Sequence, residues 1–176
     1  MAQRRVSGGA GRVAFCGLMT ALAVVFLYGA SISPTGQLGI TAVAGLFPMA
    51  AVITAGVKAG FLCWAASGIL ALLLLPGKGS AVLFLLFLGV YPVLKSVIEQ
   101  IGKLAPEWIC KLFCFNAALV VGVLVLGTML MDTLPGWIQD TWLLWPIANA
   151  VFVVYDIGLS RIALLYMNRV DKRLRK

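Results

Sequence analysis

The sequence predicts an all-α membrane protein, a six-transmembrane-helix bundle with the N-terminus and the C-terminus both cytoplasmic. Three observations carry this expectation. Hydrophobic residues make up 62% of the chain and charged residues only 11%, and the mean hydropathy is +1.04, a composition that a water-soluble core could not hide. Six apolar runs are each long enough to cross a bilayer, which takes about 20 residues. The lysines and arginines, finally, gather at alternate ends of those runs.

The first run, Val13 to Ala30, follows a basic segment of residues 1–12. A secretory leader begins in the same way, but this run is long enough to span and five more follow, so it is read as the first span. Ser31 to Gln37 (SISPTGQ) breaks the helix with serine, proline and glycine, and the second span runs from Leu38 to Ala55. Gly56 to Lys58 is a tight turn into the third, Ala59 to Leu75, and Pro76 to Ser80 (PGKGS) turns the chain into the fourth, Ala81 to Val97. An amphipathic connector, Ile98 to Glu107, leads to the fifth, Trp108 to Met131, and the polar segment Asp132 to Asp140 leads to the sixth, Trp142 to Met167. The expected organisation is a basic cytoplasmic segment (1–12), a six-span transmembrane domain (13–167) and a basic cytoplasmic tail (168–176).

Orientation follows from the charges. Of 14 basic residues, 12 fall on the side of the N-terminus: Arg4, Arg5, Arg12, Lys58, Lys95, Lys103, Lys111, Arg169, Lys172, Arg173, Arg175 and Lys176. Lys78 alone lies in an opposite loop and Arg161 lies within the sixth span. The positive-inside rule then puts both ends in the cytoplasm of a cell-membrane, multi-pass protein. A net charge of +8 could also suggest nucleic acid. Here the cations sit at span ends rather than along an exposed face, so topology accounts for them and no nucleic-acid partner is expected.

Polar groups at bilayer depth are costly, roughly 2.5–3.5 kcal/mol for a charge on insertion scales, and those that persist face protein or water. The sixth span carries Asn149, Asp156, Ser160 and Arg161, the fifth Asn116, and the fourth Tyr91-Pro92 and Lys95. Trp145, Asn149, Phe152, Asp156 and Ser160 recur at steps of four, three, four and four, which makes one stripe facing the bundle. Asp156 is expected ~16 Å from the inner end, near the midplane of the membrane. Two roles stay open for the stripe. Trp145, Asn149 and Asp156 could line a substrate cavity from mouth to floor, or Lys95 and Asp156 could form a structural ion pair between the fourth and sixth spans. Arg161, about 140° around the helix from Asp156, snorkels inward instead.

Ala14, Gly17 and Ala21 make a small-residue face on the first span, and Ala42, Gly45, Met49 and Ala50 repeat the theme on the second. Such faces let helix backbones approach closely, either within one chain or against a partner membrane protein. Pro48 and Pro92 each remove one backbone hydrogen bond inside a span. Cys16, Cys63, Cys110 and Cys114 read as buried thiols rather than a zinc site. With no histidine, no closely spaced carboxylate pair and no serine with a base beside it, catalysis is not expected. Gly8-Gly9 and Gly77-Lys78-Gly79 lack the strand and helix of a phosphate loop, and no cofactor is expected.

Six short spans, both ends inside, and the basic start running into "RVAFCGLMTALAVV" resemble the substrate-binding S components of energy-coupling factor transporters. The resemblance covers the architecture of almost the whole chain. Its one specific motif is the small-residue face of the first span, similar to the Ala-rich motif of that family, with Gly17 in place of an alanine. It implies docking through Ala14, Gly17 and Ala21 onto a transmembrane coupling subunit that works with two cytoplasmic ATPases. It further implies capture of a vitamin-like micronutrient at the outer side under Ser31 to Gln37, though no residue names the substrate and a His-based nickel or cobalt site is excluded. Small six-span scaffold proteins of bacterial wall-synthesis or sporulation complexes share the same size and shape, and in such a scaffold the same faces would serve assembly alone. A proton-coupled carrier using Asp156 is disfavoured, because no inverted repeat relates the two halves.

Overall fold

The computed structural model describes residues 9–33, 36–133 and 141–174. Arg4 and Arg5, the centre of the Ser31 to Gln37 loop (34–35), most of the segment before the sixth span (134–140) and the last two residues lie outside them. Six helical stretches are long and apolar enough to cross a membrane: Gly9–Ile32, Gln37–Ala55, Val57–Leu74, Lys78–Ile98, Ala105–Val125 and Trp145–Asn168. They overlap the six expected runs one for one, and no strand occurs among the described residues. The protein is a six-span, all-α membrane protein. It divides into two compact units, Met1–Gln100 and Ile101–Lys176.

Unit 1 holds α1 (Gly9–Ile32), α2 (Gln37–Ala44), α3 (Leu46–Ala55), α4 (Val57–Leu74), α5 (Lys78–Leu83) and α6 (Tyr91–Ile98), with a π-helical turn at Phe84–Leu88 between the last two. The second and fourth spans are therefore broken where one continuous helix each was expected. Proline explains both breaks. A proline ring clashes with the carbonyl four residues before it and offers that carbonyl no N–H; for Pro48 this residue is Ala44, where α2 stops, and for Pro92 it is Leu88, where the π-turn stops. The wider turn is closed by Gly89 N–H donating to the Phe84 carbonyl at 2.8 Å.

The two breaks meet. A Cβ at Gly45, the hinge of the second span, would overlap the Leu88 carbonyl oxygen at the break of the fourth. Only glycine allows that approach. Gly60 and Gly68 of α4 likewise admit the side chains of Val52 and Leu85. The small-residue face of the second span is thus spent inside unit 1, and Gly45, Met49 and Ala50 are buried. Around it a core of Leu27, Ala44, Ala71, Leu75, Ala81 and Phe84 excludes lipid, with Trp64 packed against it.

Each turn of unit 1 has a local cause. Gly56 joins α3 to α4 with φ 99° and ψ 169°, a conformation open essentially to glycine alone. After α4, Lys78 Nζ donates to the carbonyls of Leu72 at 2.6 Å and Leu75 at 2.7 Å. A cation capping the last carbonyls of a helix is favourable for both hydrogen bonding and the helix dipole. This gives Lys78 a structural role at the end of α4.

Unit 2 consists of α7 (Leu104–Thr133) and α8 (Thr141–Leu174). The helix α7 begins four residues before the expected start at Trp108, because Pro106 falls in its first turn, where no N–H is needed. The expected connector shrinks to a 3-10 turn at Glu99–Ile101 and Gly102, whose φ is 69°.

Candidate functional site

Two features stand apart from ordinary apolar packing: a polar ladder inside unit 2 and a groove along α1 in unit 1. The ladder is built by antiparallel register. Moving four residues along α7 from Lys111 to Phe115 moves four back along α8 from Asp156 to Phe152, so like chemistry meets like at each level. At the first level Lys111 Nζ lies 3.3 Å from Asp156 Oδ2 and 2.7 Å from Glu107 Oε1, and it sits 5.5 Å from the Trp108 ring centroid. Lys111 and Asp156 are both 3% exposed, so neither charge is left to lipid.

Above them Phe115 and Phe152 stack at 4.4 Å with an interplanar angle of 10°. The next level is an amide pair: Asn116 Nδ2 donates to Asn149 Oδ1 at 3.2 Å, and Asn149 Nδ2 donates to Asn116 Oδ1 at 3.4 Å. Each asparagine also returns a bond to its own helix, Asn116 to the Leu112 carbonyl at 2.8 Å and Asn149 to the Trp145 carbonyl at 2.9 Å. Ser160 closes the ladder by donating to the Asp156 carbonyl at 3.1 Å. Interhelix hydrogen bonds of this type contribute about 0.6 kcal/mol on average and up to ~1.7 kcal/mol in membrane proteins.

The expected stripe on the sixth span is therefore a real face, and it is turned toward α7. Asn149 hydrogen-bonds Asn116 and Asp156 pairs with Lys111, while Trp145 is half-buried and contributes its carbonyl. Lys95 pairs with Glu99 at 3.0 Å on its own helix end. Lys95 and Asp156 belong to different units, so the ion pair expected between them is one that would have to join the units. Sequence reasoning used Lys111 only as a marker of sidedness and missed it as the partner of Asp156. The available signal was its i, i+4 spacing from Glu107, a favourable helix pair that drags a lysine into the membrane. Along α7, Lys111 is ~10 Å from Leu104, the first residue of that helix.

In unit 1 the expected docking residues Ala14, Gly17 and Ala21 are all exposed, and nothing lies within 4 Å of a Cβ built at Gly17. The buried face of α1 is a different one, made by Thr20, Ala23, Leu27 and Ala30. Thr20 Oγ1 donates to Cys63 Sγ at 3.5 Å and ties α1 to α4. Gly17 and Ala21 form one lip of an open groove of about 1300 Å³, with Leu62, Ala66 and Leu70 of α4 on the other side. Its end at the start of both helices carries Arg12, Lys58, Ser96 and Gln100.

At the opposite end of unit 1 the loops converge. A Cβ at Gly77 would stand 3.4 Å from the Ser31 carbonyl and one at Gly79 would stand 3.8 Å from Gln37 Nε2. Ser80 Oγ there, and Trp64 Nε1 deeper in, are buried polar atoms with no hydrogen-bond partner among the described residues. The four cysteines are free thiols, and no cluster of metal-ligating side chains occurs among the described residues. No family model, curated protein or solved structure matches the chain.

Proposed function

We propose that this chain is the membrane-embedded substrate-capture subunit of a bacterial micronutrient uptake system of the energy-coupling factor type, seated in the cell membrane with both termini cytoplasmic. The observation that carries the reading is the exposed face of Ala14, Gly17 and Ala21 on α1. Close-approach residues on a membrane helix gain their dispersion energy only against another helix, and unit 1 leaves these three uncovered while using Gly45, Gly60 and Gly68 internally. A transmembrane coupling subunit, itself tied to two cytoplasmic ATPases, is the partner proposed for that face. Capture of a small molecule is supported by the Ser80 hydroxyl and the Trp64 indole N–H. Leaving such a group buried and unmade costs about 1–3 kcal/mol, a cost that a bound ligand would relieve.

A second reading is a non-transporting scaffold of a bacterial envelope or sporulation complex. The specific observation in its favour is that Asn149 and Asp156 bond across to Asn116 and Lys111 of α7. One experiment separates the two. Gently solubilised, tagged protein is isolated and weighed intact by native mass spectrometry. A coupling subunit, ATPases and a non-lipid small molecule travelling with the wild-type chain, and the protein partners lost from a folded Gly17→Leu variant, are the expected result. Retention of the same partners by Gly17→Leu and Ala21→Leu would remove the docking face, and a partner set without any ATPase would favour the scaffold.

A further inference from the structure

Arg161 is an intramembrane charge that the ladder of unit 2 does not use. It precedes Asn168, the last residue of its apolar span, by about two helical turns, and so lies ~10 Å from the nearer membrane surface. Half the hydrocarbon core is about 15 Å. Lys111 sits at a similar distance from the end of α7, and there the fold buries the cation against Glu107 and Asp156. Arg161 is treated differently: it is exposed and forms no hydrogen bond or ion pair among the described residues. Snorkelling back to the nearer surface, as expected from the sequence, runs against the geometry of the helix. Every Cα–Cβ bond tilts toward the helix N-terminus, and on α8 that direction leads away from Asn168 and deeper into the membrane.

The face around Arg161 is regular. Ala150, Val154, Ile157, Arg161, Leu164 and Asn168 follow one another at alternating steps of four and three, and all six are exposed. A repeat of that kind is the seam along which two helices pack at a shallow crossing angle. A single polar residue within such a seam fixes the partner and the register.

We infer that this face of α8 docks a transmembrane helix of a different protein, and that this helix carries an aspartate or glutamate opposite Arg161. Charge complementarity identifies the occupant, because a guanidinium fork matches a carboxylate through two parallel hydrogen bonds and an intramembrane cation needs such a counter-charge. A second copy of this chain does not fit. A symmetric contact along the seam would set Arg161 against Arg161, and Asp156 is turned into unit 2 toward Lys111. The inference is independent of the coupling face proposed on α1, which uses other residues in unit 1.

The test uses a synthetic leucine-alanine membrane helix with one aspartate about seven residues from its end, matched in depth to Arg161, and the same helix with leucine at that position. Their association with the labelled, purified full chain in phosphatidylcholine vesicles is measured by energy transfer. The aspartate helix should bind about 3- to 20-fold more tightly, the range of polar contacts between membrane helices. Arg161→Leu should make the two helices equal. Arg161 is exposed, so its replacement should leave the thermal melt unchanged, and Arg161→Gln repeats the measurement should the leucine variant aggregate. Equal binding of the two helices by the wild-type chain, or a preference that survives both replacements, would overturn the inference. Two other results would also overturn it. Loss of bound phosphatidylglycerol from Arg161→Leu in native mass spectrometry, with no preference between the helices, would make Arg161 a lipid anchor. Energy transfer between two copies of the chain that Arg161→Leu weakens would assign the face to a homodimer.

Discussion

Replacing the charges of the Lys111 site one at a time, and then together, tests the ladder of unit 2 quantitatively. Lys111 is shared by two carboxylates, Glu107 at 2.7 Å and Asp156 at 3.3 Å. Asp156→Asn leaves the lysine paired with Glu107 and keeps an oxygen able to accept, so it should cost only about 1–2 kcal/mol, the range of one hydrogen bond. Lys111→Met is worse, because it removes a cation that the two acids share; breaking a buried pair in that direction costs roughly 3–5 kcal/mol. The double variant removes one of the stranded acids and leaves Glu107, whose side chain is 16% exposed. It should be less destabilised than the two single changes would predict together, by about 2 kcal/mol or close to 30-fold in the unfolding equilibrium. Steric trapping of the protein reconstituted in bicelles measures these differences directly. Additivity within ~0.5 kcal/mol, or an Asp156→Asn cost equal to that of Lys111→Met, would refute the shared-lysine geometry.

Two further outcomes follow from unit 1. Gly45→Ala places a methyl group on the Leu88 carbonyl and should destabilise by about 1–3 kcal/mol, whereas Gly17→Ala, which meets nothing within 4 Å, should leave the thermal melt unchanged; similar melts for both variants would contradict the meeting of the two helix breaks. Lys78→Met should cost about 0.3–1 kcal/mol by removing an exposed cation from the last carbonyls of α4, and Lys78→Arg should recover part of it. An unaffected Lys78→Met melt would mean that the cap contributes nothing.

What could be read from the residues in order was whatever depends on one segment at a time. An apolar run of about 20 residues must be helical in a bilayer, because no water is present to satisfy its backbone, and six such runs were legible as six spans. Pro48 and Pro92 marked two places where a span would be disturbed. Their consequence was not legible: a proline states which carbonyl loses its donor but not what will be brought against it, and the answer here is Gly45 against Leu88. The small-residue faces were visible on both the first and second spans. Only packing sorted them, since Gly45 is consumed inside unit 1 and Gly17 is left exposed.

The stripe of Trp145, Asn149 and Asp156 shows the same division. Its existence is a property of helical periodicity within the sixth span, and the sequence by itself determined it, together with the number of spans, their helical type and the asymmetry of their charges. Its partners are a property of the register between two helices that are 45 residues apart in the chain at Lys111 and Asp156. Sliding α8 against α7 by one turn, about 5.4 Å, would bring a different set of side chains to the same face without changing a single residue. That choice is made by the simultaneous fit of the ion pair, the stacked rings and the amide pair, so only the tertiary structure decided that Lys111 stands against Asp156 and Asn116 against Asn149.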